Sequence, residues 1–367
     1  MKRLWLILSL LFIVACEDDV AGEKVPVEQD VILETLVTDL TNPWGLAFLT
    51  DGSLLITERP GKILHYDNGT VEIVVGIPDV IPIGQGGMLD IVAHPNFADN
   101  KLIYFTASVG SASAFSTALF QAKFESNQLQ DVKKLFQADI KNNMDRHFGS
   151  RIVFDKDGFV FVSFGERGNS NSAQDLANHN GTIIRLTDTG EVPQDNPFVS
   201  NPNAKPEIWS YGHRNVQGLA LHPITGELWS HEHGPKGGDE INIIKKGANY
   251  EWPLATFGVY YDGSIISTDS TIAGAEDPVF YWVPSIAPCG MNFYYSDIIP
   301  QWKGSLFLGA LAGTHLNRIT IENQKVVDEE RLFLGMARFR QVIQGPDGYL
   351  YFITENPGLL CRIRPSN

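Results

Sequence analysis

One pattern occurs six times along this chain and limits the folds that are open to it. Each copy has a short strand pattern of alternating apolar residues, a turn containing glycine, aspartate or proline, and a second apolar strand pattern. The copies are GLAFLTDGSLLITE (45–58), LDIVAHPNFADNKLIYFTAS (89–108), RIVFDKDGFVFVSF (151–164), GLALHPITGELWSHEH (218–233), MNFYYSDIIPQWKGSLFLGA (291–310) and QVIQGPDGYLYFITEN (341–356). The Asp-Gly and Thr-Gly turns suit a tight hairpin because glycine supplies the positive φ that such a turn needs, and the copy at 89–108 has the same form with a longer turn.

The spacing of these hairpins predicts how they assemble. Their turns lie about 44 to 78 residues apart, which is typical of a propeller with insertions of variable length. Further strand patterns over 61–76 and 314–333 lie between the copies and bring each sheet to about four strands. We predict an all-β fold, a six-bladed β-propeller of four-stranded antiparallel sheets in a domain of residues 32–367. A pair of β-sandwiches is the alternative, but it leaves the repetition unexplained.

The first residues differ from the repeats and have the form of an export signal. Lys2 and Arg3 precede an apolar run over 4–14 that is too short for a comfortable membrane span. The sequence IVAC at 13–16 resembles a bacterial lipoprotein cleavage site. We therefore predict a lipoprotein-type signal peptide (1–15), a flexible acidic tether (16–31), lipid attachment to Cys16 and a location in the periplasm or cell envelope. An ordinary signal peptide with an incidental cysteine is the alternative.

Charge and missing motifs exclude several classes of function. The formal net charge is -15, and an acidic surface repels phosphate backbones, so we expect no nucleic-acid partner. No Gly-x-Gly-x-x-Gly segment follows a strand pattern and opens a helix, and no Gly-x-Ser-x-Gly segment is present. Cys289 and Cys361 are the cysteines of the predicted folded domain; they could pair or stay as buried free thiols.

Polar side chains cluster at one end of the predicted hairpins. Some follow the second strands and others precede the first strands, and these two sets meet at the same end of an antiparallel pair. The first set contains Glu58, Glu166, Arg167, Glu232, Glu355 and Asn356, and the second contains Gln85, His147, Arg214 and Asn215. His147 and Glu166 flank one hairpin, so we expect them to face each other across its mouth.

Two segments of the fourth hairpin have metal-binding alternatives. The glycine-rich loop 234–240 carries Asp239 and Glu240, and its carboxylates and carbonyls could hold a hard cation such as calcium. Local spacing alone favours a glycine-rich turn with surface acids. His231 and His233 share one face of a strand and could ligate zinc, but without a third ligand a structural role is more frequent.

Together, several motifs carry a family resemblance. NPWGLAF, GQGGMLDIVAHPNF, HFGSRIVF, IWSYGHRNVQGLA, HEHGPKGGDEINI, GANYEWPLATFG and GPDGYLYFITEN resemble, in order, the soluble quinoprotein dehydrogenases of the glucose/sorbosone dehydrogenase family, especially its aldose sugar dehydrogenase branch. The resemblance implies a six-bladed propeller that binds pyrroloquinoline quinone (PQQ) and Ca²⁺ in its mouth. It also implies oxidation of the C1 hydroxyl of aldoses to lactones, with hydride passing to the quinone and electrons to an external acceptor, a quinone or a cytochrome.

Carried over by motif, the resemblance implies a role for individual residues. His147 is the general base, and Glu166 orients its imidazole or contacts the substrate. The residues implied to contact the cofactor are Gln85, Arg214, Asn215, Tyr261 (with Tyr260 as a close alternative), Arg338 and Arg340. The carbonyls of Gly234 and Pro235 are implied to hold the cofactor-bound calcium, and Glu240 and Tyr250 a second, structural calcium.

Two departures from the family pattern bear on function. Ala312 stands where the family has a lysine near the cofactor, and Arg146 stands before the base where Asn or Asp is usual. We expect the first to weaken a contact with a cofactor carboxylate and the second to reshape the sugar pocket. Two other functions stay open: a calcium-dependent propeller hydrolase such as a lactonase, and a non-catalytic binding lipoprotein.

Overall fold

The computed structural model describes residues 31–139 and 141–366. Its strands in the first half of the chain are β1 (Val31–Val37), β2 (Pro43–Phe48), β3 (Leu54–Glu58), β4 (Lys62–Asp67), β5 (Thr70–Ile73), β6 (Met88–Ala93), β7 (Leu102–Ser111), β8 (Ala114–Glu125), β9 (Gln128–Gln137), β10 (Ile152–Phe154), β11 (Val160–Phe164) and β12 (Thr182–Leu186). A single-turn helix, α1 (Phe97–Asn100), and a 3₁₀ turn (Ser170–Gln174) lie between them.

The second half contains the remaining strands and one further 3₁₀ turn, Pro300–Trp302. The strands are β13 (Ile208–Tyr211), β14 (Val216–Leu221), β15 (Leu228–Glu232), β16 (Asp239–Ile244), β17 (Phe280–Trp282), β18 (Pro288–Phe293), β19 (Leu306–Ala310), β20 (His315–Glu322), β21 (Lys325–Leu332), β22 (Arg338–Gln344), β23 (Leu350–Glu355) and β24 (Leu359–Pro365).

These strands form six antiparallel sheets of four, which we number as blades in chain order. Blade 1 is β2–β5, blade 2 is β6–β9, blade 3 is β10–β13, blade 4 is β14–β17 and blade 5 is β18–β21. Blade 6 combines β22, β23 and β24 with β1 from the start of the described chain. The six hairpins predicted from the sequence are the first two strands of the six blades. The prediction of a six-bladed propeller is confirmed.

The ring is closed by strand pairing between the two ends of the propeller. β1 runs antiparallel to β24, with Val31 opposite Pro365 and Thr35 opposite Cys361. The Glu34 carboxylate accepts a hydrogen bond from the Arg362 guanidinium at 2.7 Å across this seam. The seam joins residues more than three hundred positions apart in the sequence. Its pairing covers the strand edges that β1 and β24 would otherwise leave unpaired.

The first strand of each blade is the innermost. Each of β2, β6, β10, β14, β18 and β22 contacts the first strand of the next blade, so they form a ring around the axis. In five blades the pairing register of this strand shifts near its beginning, for example between Pro43 and Leu46 and between Phe339 and Gln341. In blade 3 the equivalent segment has positive φ at His147 and Ser150. Such irregularities re-aim side chains, here at the mouth and axis.

The apolar core is divided into six layers, one at each junction between blades. The layer between blades 1 and 2, for example, contains Leu55, Ile63, Phe105 and Phe120, and the remaining junctions have equivalent clusters. The second strand of a blade is buried on both faces, because neighbouring sheets pack face to face, whereas the outer strand β5 is exposed along its length. Truncating a fully buried phenylalanine typically costs about 3–5 kcal/mol, so these layers dominate the stability of the ring.

Some of the sequence predictions concern residues before position 31. The predicted signal peptide, Cys16 and most of the tether fall outside the described residues. Within 31–139 and 141–366, no helix has the length and apolar character needed to cross a membrane. Cys289 and Cys361 are both buried and unpaired, and burial raises the pKa of the Cys361 thiol to about 11.

Candidate active site

A cavity of about 450 Å³ lies at the mouth of the propeller, where the inner strands begin and the second strands end. All six blades contribute to its wall. The lining residues are Asn42, Trp44, Arg59, Gln85, Leu89, Phe148, Gly149, Asn215, Gln217, His233, Ala287, Leu311, Arg338, Arg340, Glu355 and Asn356. The structure therefore brings four of the predicted cofactor contacts, Gln85, Asn215, Arg338 and Arg340, to one cavity.

The cavity wall has an excess of positive charge. Glu355 is its one carboxylate, against the guanidinium groups of Arg59, Arg338 and Arg340. Arg340 Nη2 donates to Glu355 Oε1 at 2.9 Å, and Arg338 Nε lies 3.6 Å from Glu355 Oε2. Burial lowers the pKa of Arg59, and the neighbouring Arg338 and Arg340 lower it further, whereas Glu355 raises it. A cavity with three cations and one anion favours an anionic ligand.

His147 and Glu166 meet beside this cavity, as the sequence predicts. His147 Nδ1 is hydrogen-bonded to Glu166 Oε1, and the His147 backbone N–H donates to Gln85 Oε1 at 2.8 Å. The adjacent Phe148 and Gly149 line the cavity. Backbone approach here is very close: a Cβ on Gly165 would lie 2.2 Å from the His147 carbonyl oxygen, so position 165 requires glycine.

The surroundings of His147 keep its imidazole neutral. Burial lowers its pKa most, and the charges of Arg214 and Arg146 lower it further, while the hydrogen bond to Glu166 opposes them. Because a carboxylate accepts from Nδ1–H, the neutral ring carries its lone pair on Nε2. Nε2 makes no hydrogen bond within residues 31–139 and 141–366, and neither does the buried Oε2 of Glu166. The pair thus offers a proton acceptor and a hydrogen-bond acceptor.

Arg214 and Asn215 directly precede β14 in blade 4, next to the His147 loop of blade 3. Arg214 Nη1 donates to the carbonyls of His233 and Gly234, at 3.0 and 2.8 Å. Its Nε is buried without a partner in the described structure. Asn215 Oδ1 accepts from the Gly149 N–H at 3.1 Å, so this side chain ties the His147 loop to blade 4.

The glycine-rich loop after β15 is fixed by Asp239. Asp239 Oδ1 accepts from the Gly234 N–H at 2.8 Å, and Oδ2 accepts from Ser285 and from two backbone N–H groups of the next loop. With both oxygens occupied, Asp239 organises the loop and is a poor metal ligand. The carbonyls of Gly234 and Pro235 are the oxygens that the loop offers to a cation, and Gly234 O already accepts from Arg214.

Glu240 and Tyr250 are the residues predicted to hold a second calcium, and Glu240 lies where this loop enters β16. Burial raises the pKa of Glu240 well above its usual range, and the nearby carboxylates of Glu232 and Glu251 raise it further. A bound divalent cation would relieve this repulsion. The Tyr250 hydroxyl donates to the Ile243 carbonyl at 2.7 Å and accepts from a backbone N–H, so the oxygen that could face a metal is its backbone carbonyl, which itself accepts from the Trp252 N–H at 2.8 Å. No group of three or more His, Cys, Asp or Glu residues in 31–139 and 141–366 is arranged for a metal.

Tyr261 is not brought to the cavity. Its side chain is 72% exposed on a turn closed by the hydrogen bond from Gly263 N–H to the Tyr260 carbonyl. Its implied contact with the cofactor therefore stays a prediction without support from this geometry. The alternative, Tyr260, is 46% exposed and does not line the cavity either.

His231 and His233 have structural partners instead of a metal. Their Nε2 atoms donate to the carbonyls of Gly290 and Pro288, at 2.9 and 2.8 Å, on the neighbouring inner strand. Burial lowers the pKa of His231 to about 3 and that of His233 well below its usual range, so both stay neutral. These two hydrogen bonds join blade 4 to the carbonyls of Pro288 and Gly290 on β18 of blade 5.

No sequence motif predicts a role for Arg59 or Glu355, although both line the cavity. Glu355 was noted as a polar residue at a strand end, and Arg59 directly follows Glu58, the polar end of another second strand. The position after the second strand is thus the signal that could have found Arg59. It supplies a cation from blade 1, whereas blade 5, with Ala312 after its second strand, contributes only Ala287 and Leu311 to the wall.

The fold and the cavity together define a class of protein: a six-bladed propeller with a cationic cavity in its mouth, beside a histidine that is hydrogen-bonded to a carboxylate. A profile of the Glucose / Sorbosone dehydrogenase family matches residues 40–362. The chain belongs to this family and is an oxidoreductase. The resemblance noted in the sequence is confirmed.

Individual relatives agree with this assignment. The aldose sugar dehydrogenase YliI of Escherichia coli (strain K12) is 43% identical over 92% of this chain and 94% of its own length. The crystal structure of the soluble aldose sugar dehydrogenase from Escherichia coli in the apo form matches at a TM-score of 0.89, with 42% identity over 91% of this chain and 99% of that one. The structure of the PQQ-bound aldose sugar dehydrogenase from Streptomyces coelicolor matches at a TM-score of 0.77, with 29% identity over 93% of this chain and 100% of that one.

Proposed function

We propose that this protein is a PQQ-dependent dehydrogenase that oxidises the C1 hydroxyl of aldose sugars to lactones. The observation that carries the proposal is the His147–Glu166 pair, which leaves Nε2 of a neutral imidazole without a partner next to a cationic cavity. The similarity to aldose sugar dehydrogenases, one of them with PQQ bound, supports the choice of substrate and cofactor.

The residues of the cavity fit the quinone. PQQ carries carboxylates, and the planar fork of an arginine pairs with a carboxylate through two parallel hydrogen bonds. Arg59, Arg338 and Arg340 would hold these groups, with Glu355 limiting the excess of positive charge. Arg214 has a buried Nε without a partner in the described chain, and a cofactor oxygen would satisfy it. Gln85 and Asn215 supply neutral polar contacts at the same wall.

His147 performs the proton transfer of the reaction. When bound, the quinone supplies the acceptor for the hydride that leaves C1. The Nε2 lone pair of His147 takes the proton of the C1 hydroxyl, and the lowered pKa keeps that lone pair available at neutral pH. A general base of this kind typically contributes a factor of about 10²–10⁴ to the rate.

Glu166 supports the base through one oxygen and is free to bind substrate through the other. Its Oε1 holds the Nδ1–H and stabilises the imidazolium that forms once the proton has been taken. Its Oε2 is buried without a partner in the described chain. An unpaired buried carboxylate oxygen is costly. An aldose with a hydroxyl that donates to Oε2 would therefore bind in preference to an aldose that lacks this hydroxyl.

The proposed function includes two calcium ions, each held by oxygen ligands. The carbonyls of Gly234 and Pro235 would hold a cofactor-bound ion, and Glu240 with the Tyr250 carbonyl would hold a structural one. Calcium takes six to eight oxygens, so cofactor oxygens or water must complete either site. The supporting observation is the buried group of like charges at Glu232, Glu240 and Glu251, which a divalent cation would neutralise.

One assay tests the proposal against its alternatives. Reduction of an electron-accepting dye by aldoses is measured after the purified protein is loaded with PQQ and calcium, with matched samples that lack each of them. We expect turnover that requires PQQ. Lactone hydrolysis without PQQ would favour the hydrolase alternative, and sugar binding without either reaction would favour the binding lipoprotein.

We also propose that the protein is held in the cell envelope by lipid on Cys16 and passes its electrons to an external quinone or cytochrome. The support is the sequence alone: a charged start, a short apolar run and the IVAC segment. Mass spectrometry of the protein from a native host should find an N-terminal diacylglyceryl-cysteine. An unmodified terminus at another residue would contradict the anchor.

A further inference from the structure

The side chain of Arg151 lies on the axis of the propeller and contacts all the other blades. Arg151 directly precedes β10, the inner strand of blade 3, and is 2% exposed. Each of its partners belongs to the inner strand of a different blade; in the order of blades 1, 2, 4, 5 and 6 they are Trp44, Asp90, Gln217, Cys289 and Arg340.

The contacts use the whole guanidinium group. Its Nε donates to the Gln217 carbonyl at 2.7 Å, and Nη2 donates to the Arg340 carbonyl at 3.0 Å. Nη1 lies 3.3 Å from Asp90 Oδ1, and the plane of the group lies over the Trp44 ring at 4.0 Å. A lysine ammonium, as a single point of charge, could not reach these partners together.

Arg151 lies directly behind the wall of the cavity. Three of its partners, Trp44, Gln217 and Arg340, line the cavity, whereas Arg151 itself does not. The Sγ atom of Cys289 joins two guanidinium groups, at 3.3 Å from Arg151 Nη2 and 3.4 Å from Arg340 Nη1. The direction in which Arg340 points into the cavity therefore depends on Arg151 through its backbone carbonyl and through this sulfur.

Stability alone gives a poor reason for a charge at this place. Replacing a buried ion pair by well-packed apolar residues is often neutral or stabilising, because both ions must leave water. Burial raises the pKa of Asp90 and thereby reports this cost, although Arg151 opposes the shift. An arginine that links six strands fixes their relative positions more narrowly than apolar packing would.

We propose that Arg151 is a positioning residue of the cofactor site, which holds the inner strands in register and so sets the direction of Arg340 and the position of Gln217 in the cavity wall. The inference rests on the proposed function, since it assumes that the cavity binds PQQ. Arg151 itself touches neither cofactor nor substrate.

The test compares Arg151→Lys with Arg185→Lys. Arg185 is also a buried arginine of blade 3 and lies over an aromatic ring, Phe159, but it pairs with Asp195 away from the cavity. PQQ affinity is measured by titration calorimetry with calcium present, alongside thermal melting. We expect Arg151→Lys to weaken PQQ binding about tenfold or more, a loss of about 1.4 kcal/mol. Arg185→Lys should melt at a lower temperature yet bind PQQ within about twofold of the wild type.

A milder pair of variants covers the case in which Arg151→Lys does not fold. Cys289→Ala removes the sulfur between the two guanidinium groups, and Cys361→Ala removes the other buried free thiol, on the outer side of blade 6. We expect Cys289→Ala to bind PQQ several-fold more weakly than the wild type and Cys361→Ala to bind it with unchanged affinity. Cys289→Ser should recover the affinity, because serine keeps a hydrogen-bond acceptor at this position. At saturating PQQ the kcat of Cys289→Ala should stay within about threefold of the wild type, because the base is untouched.

Distinct results separate the two proposals. Wild-type protein that neither binds PQQ nor oxidises aldoses would overturn the proposed function itself. Wild-type protein that does both, together with unchanged PQQ affinity in folded Arg151→Lys or in Cys289→Ala, would overturn the positioning role. Equal losses of PQQ affinity in a test variant and its control would also overturn it, since they would show a general effect of core disruption.

Discussion

Blades 3 and 4 each place a histidine before the inner strand and a glutamate after the second strand, with the same separation of 19 residues. His147 Nδ1 bonds to Glu166 in blade 3, and His213 Nδ1 bonds to Glu232 at 2.8 Å in blade 4. The propeller repeat thus presents one pair twice. The two pairs differ in what surrounds them, and that difference separates a site for chemistry from a structural clamp.

In the pair of blade 4 the remaining polar atoms are occupied. His213 Nε2 bonds to Ser210 Oγ at 2.9 Å, the ring stacks on Tyr250, and Glu232 Oε2 accepts from the Arg214 N–H. In blade 3 the corresponding atoms, His147 Nε2 and Glu166 Oε2, have no partner in the described chain. Under the proposed function, the unoccupied atoms distinguish the pair of blade 3 as the reactive one, whereas the hydrogen bond between histidine and glutamate is common to both pairs.

The largest expected effect comes from removing the imidazole of the pair in blade 3. His147→Gln should lower kcat about a hundredfold or more, because glutamine keeps polar volume but accepts no proton at neutral pH. PQQ affinity, measured by titration, should stay within a few-fold of the wild type. Turnover like that of the wild type at saturating PQQ and calcium would remove His147 from the mechanism.

His213→Gln is the matched variant in blade 4. It should keep kcat within about threefold of the wild type but lower the free energy of unfolding by about 1–3 kcal/mol, since it leaves buried partners unsatisfied. Urea denaturation and steady-state kinetics on the same preparations distinguish the two effects. If His213→Gln lost turnover as His147→Gln does while staying folded, the distinction between the pairs would be wrong.

A smaller effect is expected from the glutamates. Glu166→Gln still accepts the Nδ1–H of His147 but no longer stabilises the imidazolium, so kcat should fall about ten- to a hundredfold. Glu232→Gln should leave kcat within about threefold and change mainly the melting temperature. Comparable losses of kcat in both variants would show that the two carboxylates act alike.

The fold could be predicted from the sequence because its signal is repeated. Six hairpins, five of them with a glycine in the turn, became six blades, and the antiparallel pairing predicted that His147 and Glu166 face each other. The closed and open pairs could not be told apart, because Ser210 and Tyr250 reach His213 only through tertiary packing. Local spacing contains no information about such contacts.

The cavity wall shows a second limit of sequence reasoning. Arg340 and Glu355 are paired in space, but the sequence assigned a role to the arginine alone. Arg151 lies inside one of the quoted motifs and has partners in five other blades, which no single motif can reveal. Tyr261 was placed by its motif, and the exposed turn that carries it lies away from the cavity.

A modest shift in pH dependence is expected from Arg146. The base acts only when neutral, so the acid limb of kcat/KM should lie below the ordinary histidine pKa of 6.5. Arg146 is one of the charges that lower the pKa of His147, so Arg146→Gln should move this limb to higher pH and leave the plateau near pH 8 unchanged. Arg364→Gln, on strand β24 of blade 6, should leave the limb where it is. A limb that moves to lower pH would contradict the electrostatic account.

The smallest effect extends the comparison to a histidine with two carboxylate partners. His179 donates from Nδ1 to Asp139 at 2.7 Å and from Nε2 to Glu207 at 2.6 Å, and Lys205 pairs with the same Asp139. Burial alone would lower the pKa of His179, but the two carboxylates outweigh it and raise the pKa. Stability from this charged histidine is therefore complete below about pH 6.5 and is lost as pH rises through the raised value. The difference in unfolding free energy between wild type and His179→Gln, from urea denaturation, should be larger near pH 5.5 than near pH 9. A difference that does not depend on pH would mean that His179 stays neutral like His147, and the number of carboxylate partners would then not decide the charge of these histidines.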